Sequence, residues 1–347
     1  MSYMFYKNEK LDNLFFPSLF TTEKVKDMSY MFTDCKKLST LDLDNFKTTN
    51  LEKMDFMFSS CKALTLLKIS QFNTEKVQDM QHLFEYCTSL TSLDLTNFNT
   101  ENVNSMAYMF SNCESLENLK INFNTIKVTD MSNMFEEAKN LNSLEFSTSF
   151  STSSVINFSK MFYNCEKLEK LDLTNFDTNN AKDMSEMFYG CSSLGTLTQK
   201  FSVSGVTDFS GMFQGCSSLI NLDLDNFQTI SMINAKSIFY GCTNLESLNV
   251  VNFDTSKLTC MDYMFYKCSS LISLDLHNFH TNNVKSMQFM FNSCNNLKEL
   301  KVNNFNTTNC ESFTSMFTGV NDLRITINKD SNSILLGKLN GYTIPEI

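Results

Sequence analysis

A Met-Phe dipeptide, or its Leu-Phe or Ile-Phe equivalent, recurs about every 26 residues along a chain of 347 residues. Self-similarity at a fixed period indicates a repeat architecture, and it overrides any estimate of domain number from length. The chain is therefore predicted to be a stack of similar units. The period is marked by thirteen phenylalanines: Phe5, Phe32, Phe58, Phe84, Phe110, Phe135, Phe162, Phe188, Phe213, Phe239, Phe265, Phe291 and Phe317.

One unit extends from Leu90 to Leu116. Near its start, Leu93 and Leu95 flank Asp94, and this alternation places the two leucines on one face of a short strand and the aspartate on the other. Each repeat is therefore predicted to contain one strand.

The second part of the unit has helical spacing. Thr100 follows a turn-forming Asn-Phe-Asn segment and is predicted to accept a hydrogen bond from the amides that open a helix. Apolar side chains then recur at intervals of three and four residues, which aligns them on one helical face. A short amphipathic helix is predicted from the positions of Val103, Met106, Phe110 and Cys113.

Only about 26 residues separate successive strands, so the strands are predicted to lie side by side and parallel. Crossovers between parallel strands are almost always right-handed. The predicted fold is an α/β solenoid of about 12 right-handed coils. Helices need more lateral room than strands, so the strands are expected on a concave face and the helices on a convex one.

The pattern LxxLDLxNFxTxxVxxMxxMFxxCxxL, seen in 90–116, 168–194 and 271–297, resembles the repeat of BspA-like leucine-rich repeat proteins of bacteria and protists. The resemblance covers residues 1–327. It implies a non-enzymatic binding array, commonly displayed on cell surfaces and used for adhesion or host contact.

Composition excludes several other classes. The chain has 28 Lys and Arg against 38 Asp and Glu, a net charge of −10, which disfavours binding to nucleic acid or anionic lipid. No apolar stretch reaches the roughly 18 residues of a membrane span, so membrane insertion is not expected. With three histidines, no glycine-rich phosphate loop and no metal-binding motif, we predict neither an enzyme nor a cofactor.

Most of the twelve cysteines follow the repeat phenylalanine by three residues. Ala138 and Val320 occupy the same position in other coils, which favours a column of packed thiols over disulfides between coils or a metal array. Cys260 lies outside this column and is the candidate exposed thiol. The column contains Cys35, Cys61, Cys87, Cys113, Cys165, Cys191, Cys216, Cys242, Cys268 and Cys294.

The outward strand face is the candidate surface for a protein partner. It is polar and has no aromatic anchor, so it is either solvated or binds through charge and hydrogen bonds. Its acidic part would favour a basic partner. The predicted partner-binding residues are Glu145, Asp172, Asp223, Asp225, Asp275 and His277.

The two ends differ. The first five residues repeat Met28–Phe32, so the chain starts within a repeat, and the exposed coil is predicted to form an interface with another protein or another copy. Residues 328–347 are predicted to be a C-terminal cap. The end-face residues are Met1, Met4, Phe5 and Leu14.

The sequence thus predicts a repeat protein for protein–protein recognition, adhesion or structural organisation. An intracellular scaffold or cytoskeleton-associated protein is the alternative to a surface adhesin. Unpaired thiols and the lack of a signal peptide favour the cytoplasm, whereas missing sequence upstream of Met1 would leave the cell surface open.

Overall fold

The computed structural model describes residues 1–17 and 20–327. They form two compact units, one from Met1 to Asp177 and one that begins at Thr178. Each unit is a parallel β-solenoid with coils of about 26 residues. The predicted cap at 328–347 lies outside the described residues. The right-handed coil and the concave sheet stay predictions.

One short strand lies in most coils. The first unit contains β1 (Thr40–Asp42), β2 (Leu66–Lys68), β3 (Ser92–Leu95), β4 (Asn118–Ile121) and β5 (Lys170–Leu173). The second unit contains β6 (Thr196–Gln199), β7 (Asn221–Asp223), β8 (Ser247–Asn249), β9 (Ser273–Asp275), β10 (Glu299–Val302) and β11 (Arg324–Ile327).

The strands pair in parallel with equivalent residues opposite one another. In the first unit β1 pairs with β2 and β3 with β4, and in the second β7 pairs with β8 and β10 with both β9 and β11. Leu93 is 4% exposed and Leu95 is buried, whereas Asp94 is exposed. The predicted parallel strands and their alternation are confirmed.

The predicted helices are wrong for the described part of the chain. The segment from Val103 to Cys113 contains a single bridge residue, Ser105, followed by turns in which Tyr108 and Asn112 have φ values of 58°. Its amides alternate between two kinds of acceptor. Cys113 N donates within the coil to Phe110 O at 3.2 Å, whereas Phe110 N donates to Met134 O of the next coil at 2.9 Å.

The stacking distance explains why a helix does not form. The turn segments of adjacent coils are themselves joined at a strand spacing of about 4.8 Å, through parallel bridges such as Asp79 to Ser105 and Ser105 to Asp130. An α-helix with its side chains is roughly 10 Å wide and does not fit this spacing. Residues with positive φ turn every second amide toward the next coil. In an α-helix the same amides would instead bond to the carbonyl four residues earlier in their own coil. Because the described residues contain no helix, none of them forms a membrane-spanning helix.

Equivalent side chains of successive coils stack in columns in the interior. The repeat phenylalanines stack face to face, for example Phe58 on Phe84 at 5.6 Å and Phe84 on Phe110 at 5.7 Å between ring centroids. The predicted thiol column is buried. Each of its bonded thiols donates to the carbonyl of a repeat phenylalanine one coil earlier, as Cys113 Sγ does to Phe84 O at 3.1 Å.

A third column consists of buried threonines that link adjacent coils. Thr100 Oγ1 donates to Asn124 O at 2.8 Å, so the prediction that this residue opens a helix is wrong. Thr48 Oγ1 both donates to Asn73 O and accepts from Asn73 N. The bonded members in the two units are Thr22, Thr48, Thr74, Thr100, Thr125 and Thr152, and Thr178, Thr229, Thr255 and Thr281.

Val203 interrupts the threonine column in the second unit. By the pattern of its neighbours, a hydroxyl there would donate to the Gln228 carbonyl. We expect Val203→Thr to raise the free energy of unfolding by about 0.5–1.5 kcal/mol, the usual contribution of one hydrogen bond. Urea denaturation measures this. Thr229→Val is the matched control and should destabilise, and a destabilised Val203→Thr protein would contradict the proposed hydrogen bond.

Candidate functional site

The outward strand face consists of the exposed strand residues, two in most coils. Its chemistry changes from coil to coil, whereas the Phe, Cys and Thr columns beneath it are nearly uniform. In the last two strands, Arg324 lies opposite Glu299 and Thr326 lies opposite Lys301. The two basic residues, Lys301 and Arg324, therefore stand in different columns of the outward strand face. A face that the fold leaves free to vary is the natural place for recognition.

In the first unit, pairing between coils uses much of the charge on this face. Lys68 Nζ lies 2.9 Å from Asp42 Oδ2, and Ser70 Oγ donates to Asp44 Oδ1 at 2.9 Å. The predicted partner-binding residues Glu145 and Asp172 are both exposed here. The hydrogen bonds that Asp172 accepts from Thr174 lower the pKa of the Asp172 carboxyl.

Asp275 and His277, in the second unit, form a local cluster with Lys301. Asp275 Oδ1 lies 2.8 Å from His277 Nδ1, and Asp275 Oδ2 lies 2.9 Å from Lys301 Nζ. Partial burial raises the pKa of Asp275, but its bonds to Lys301 and His277 outweigh this and lower it. This carboxylate is already neutralised and is a poor anchor for a basic partner.

Asp223 and Asp225 lie at an open cavity of about 780 Å³ in the second unit. Thr198, Gln199 and Lys200 lie on the preceding coil at the same cavity. The structure thus brings together two of the predicted partner-binding residues at a cavity that is also lined by a lysine, Lys200, which the sequence analysis did not select.

A shortened coil accompanies the cavity. Phe188 and Phe213 are 25 residues apart, and Gln199 stands at the end of β6, where Leu95 and Leu173 end their strands as buried residues. Gln199 Oε1 accepts the Phe201 amide at 2.8 Å, and Gln199 Nε2 donates to Asp223 O at 3.2 Å. The polar side chain therefore bonds to backbone where its counterparts pack in the core.

The side chains of Lys200 and Asp225 make no hydrogen bond or ion pair with another described residue. Asp44, which occupies the position of Asp225 in an earlier coil, accepts from Ser70. In the coil after Asp225 the serine is replaced by Val251, which is 41% exposed and cannot donate. Asp225 is consequently available to a ligand. The 25-residue step was the sequence signal for this irregularity.

The remaining predicted residues lie at the N-terminal end of the chain and at Cys260. Met4 is 51% exposed and Met1, Phe5 and Leu14 are half-buried, while the interface predicted for them stays a prediction. Cys260 is half-buried rather than exposed, and burial raises the pKa of its thiol. Cys260 Sγ accepts a hydrogen bond from Asp262 N at 3.5 Å. In an earlier coil the Asp79 carboxylate accepts the equivalent bond from Gln81 N.

A family model described as "Mycoplasma protein of unknown function, DUF285" matches residues 1–67, 53–170, 117–227 and 207–330. The chain belongs to this family. The overlapping matches cover nearly all of the described residues, and their description assigns DUF285 proteins no activity. No curated protein sequence matches the chain.

This DUF285 protein is also similar to solved leucine-rich repeat proteins. One from Bacteroides ovatus shares 17% identity over 95% of this chain and 91% of its own, with a TM-score of 0.44. A leucine rich cell surface protein from Faecalibacterium prausnitzii shares 16% over 88% and 77%, with a TM-score of 0.43. One from Eubacterium ventriosum shares 13% over 84% and 81%, with a TM-score of 0.40.

Proposed function

We propose that this chain is a non-enzymatic recognition module that binds protein partners through its outward strand face, with the cavity at Asp223 and Asp225 as the main anchor. The observation that carries the proposal is the Asp225 carboxylate, unpaired among the described residues, at the same cavity as Lys200. Such groups can bond to a partner without first breaking a bond within the solenoid.

The chemistry of the cavity indicates the kind of partner. The carboxylates of Asp225 and Asp223 can bind a basic side chain of the partner. Lys200 can donate a hydrogen bond to an acceptor on the same segment of the partner. Hydroxyl and amide groups of Thr198 and Gln228 line the rest. These side chains lie at the surface, an arrangement suited to hydrogen-bonded binding and not to the water-excluded environment in which catalytic carboxylates are tuned.

A displayed peptide library panned against the whole chain tests the proposal. We expect enriched peptides that carry a basic residue and that lose at least about tenfold in affinity, or about 1.4 kcal/mol, for the Asp223→Asn/Asp225→Asn double variant. Asp44→Asn in the first unit is the matched control and should leave their affinity unchanged. The proposal fails if the enriched peptides bind parent and double variant equally, or if no peptide is enriched.

A further inference from the structure

A surface column of aromatic rings lies in the first unit, two residues before the repeat phenylalanine. Successive ring centroids are 4.8, 4.6, 4.2 and 4.5 Å apart, and successive planes deviate by 4 to 11°. We refer to it as the aromatic ladder. Its five members are Tyr3, Tyr30, Phe56, His82 and Tyr108.

The backbone holds these rings in register. All five residues have φ between 54 and 59°, a conformation that costs a non-glycine residue about 1–2 kcal/mol. In this conformation each amide donates to the next coil, as His82 N does to Ala107 O at 2.9 Å and Tyr30 N to Asp55 O at 3.1 Å. The main-chain bonds between coils therefore fix the spacing of the rings.

The stacking determines which part of the rings a ligand can reach. Neighbouring rings cover each other's faces, and the four rings from Tyr30 to Tyr108 are half-buried, so their edges are what remains accessible. Ring edges offer apolar surface along the ladder, against which a flat aromatic molecule can pack by dispersion. A flat aromatic molecule lying along the ladder would contact several edges at once.

Carboxylates flank the ladder. Asp55, Asp79 and Glu52 line a cavity of about 440 Å³. Lys53 is the single basic residue in the lining of this cavity. The cavity adjoins the ladder, because Asp55 directly precedes Phe56, and Asp55 and Asp79 both raise the pKa of Tyr30 beyond the effect of burial. Near the ladder's other end, burial and then Glu136 raise the pKa of Tyr108.

We propose that the aromatic ladder and its flanking carboxylates form a binding site for elongated, planar aromatic cations that lie across several coils. The ring edges supply contacts to the flat face of the ligand, and Asp55 and Asp79 neutralise its charge. This site lies in the first unit and is independent of the function proposed above.

Thioflavin T, a planar benzothiazolium dye whose fluorescence rises when its rotation is blocked, is the probe. We expect saturable binding to the monodisperse whole chain. His82→Asn should lower the fluorescence enhancement at least about fivefold, because it removes the ring between Phe56 and Tyr108. The substitution suits the backbone, since Asn133 has a φ of 56° at the same position of another coil.

Further variants separate the contributions. Tyr263→Asn in the second unit is the matched control: Tyr263 stacks on Phe289 at 4.9 Å, and we expect no loss on its removal. Asp55→Asn/Asp79→Asn should weaken binding of the dye and reduce its dependence on salt. Tyr30→Asn provides a second break in the ladder should His82→Asn fail to fold.

Several results would overturn the assignment. They are unchanged binding in both ladder variants that fold, fluorescence confined to aggregated protein, equal binding of an anionic dye of similar length, and complete displacement of thioflavin T by the aliphatic cation spermidine at equal concentration. The last result would show that the carboxylates act without the rings.

Discussion

Stability should fall steeply as the pH rises above about 9, because the buried thiols cannot ionise without unfolding. Burial raises the pKa of Cys35 to about 11 and those of Cys113, Cys242 and Cys294 to about 12, from a usual value of 9.0. Above pH 9 the unfolded chain loses these protons while the folded chain keeps them. The unfolded state thus binds fewer protons, and the free energy of unfolding decreases.

The slope is about 1.4 kcal/mol per pH unit for each such thiol, from pH 9 up to its pKa in the folded protein. Below pH 9 this contribution is fully present. Urea denaturation between pH 8 and 11, under reducing conditions, measures the slope. Cys113→Ala introduces the residue that Ala138 supplies in the next coil, and it should reduce the slope by one thiol's share. An unchanged slope in this variant, or rapid labelling of several column thiols at pH 8, would contradict the buried column.

Removal of one ring from the stacked core should cost about 3–5 kcal/mol in the free energy of unfolding. Phe84→Ala is the variant, because Phe84 is fully buried and Phe58 and Phe110 cover its two faces. Alanine leaves a cavity that the neighbouring coils cannot close while their main chains remain bonded. Urea denaturation gives the loss.

The same variant tests how far a defect spreads. Coils in a repeat protein contact only their neighbours, so new proteolytic cleavage should concentrate near the coil of Phe84. Tyr86→Asn is the control at a 39% exposed residue whose position is asparagine in the next coil, and it should change stability by less than about 0.5 kcal/mol. Simultaneous cleavage along the whole first unit would contradict weak coupling between coils.

Helical spacing misled the sequence analysis at the second half of each coil. Val103, Met106, Phe110 and Cys113 are all buried, so the core prediction is confirmed although the predicted backbone is wrong. Spacings of three and four residues also arise from successive turns, as in the Met109 N to Met106 O and Cys113 N to Phe110 O bonds. The periodicity of apolar side chains indicates which residues face inward. It does not indicate which carbonyl groups accept hydrogen bonds from their backbone amides.

Some residues of the candidate site could be predicted from the sequence, and others could not. Asp223 and Asp225 were selected from alternation along a strand, which the sequence contains. Lys200 was missed, because its place at the same cavity as Asp225 depends on how a 25-residue coil stacks on its neighbour. Asp275 was selected as an acidic contact, but Lys301 in the next coil neutralises it and His277 occupies its other carboxylate oxygen.

By itself, the sequence determined the period, the strands, the inward-facing columns and the burial of the repeat cysteines, since local alternation and the residues that replace one another between coils encode them. The tertiary structure decided the destination of each amide, the pairing of surface charges, the cavity and the aromatic ladder. These depend on atoms about 26 residues apart in the chain, brought within bonding distance by stacking, and no local pattern specifies how such atoms meet.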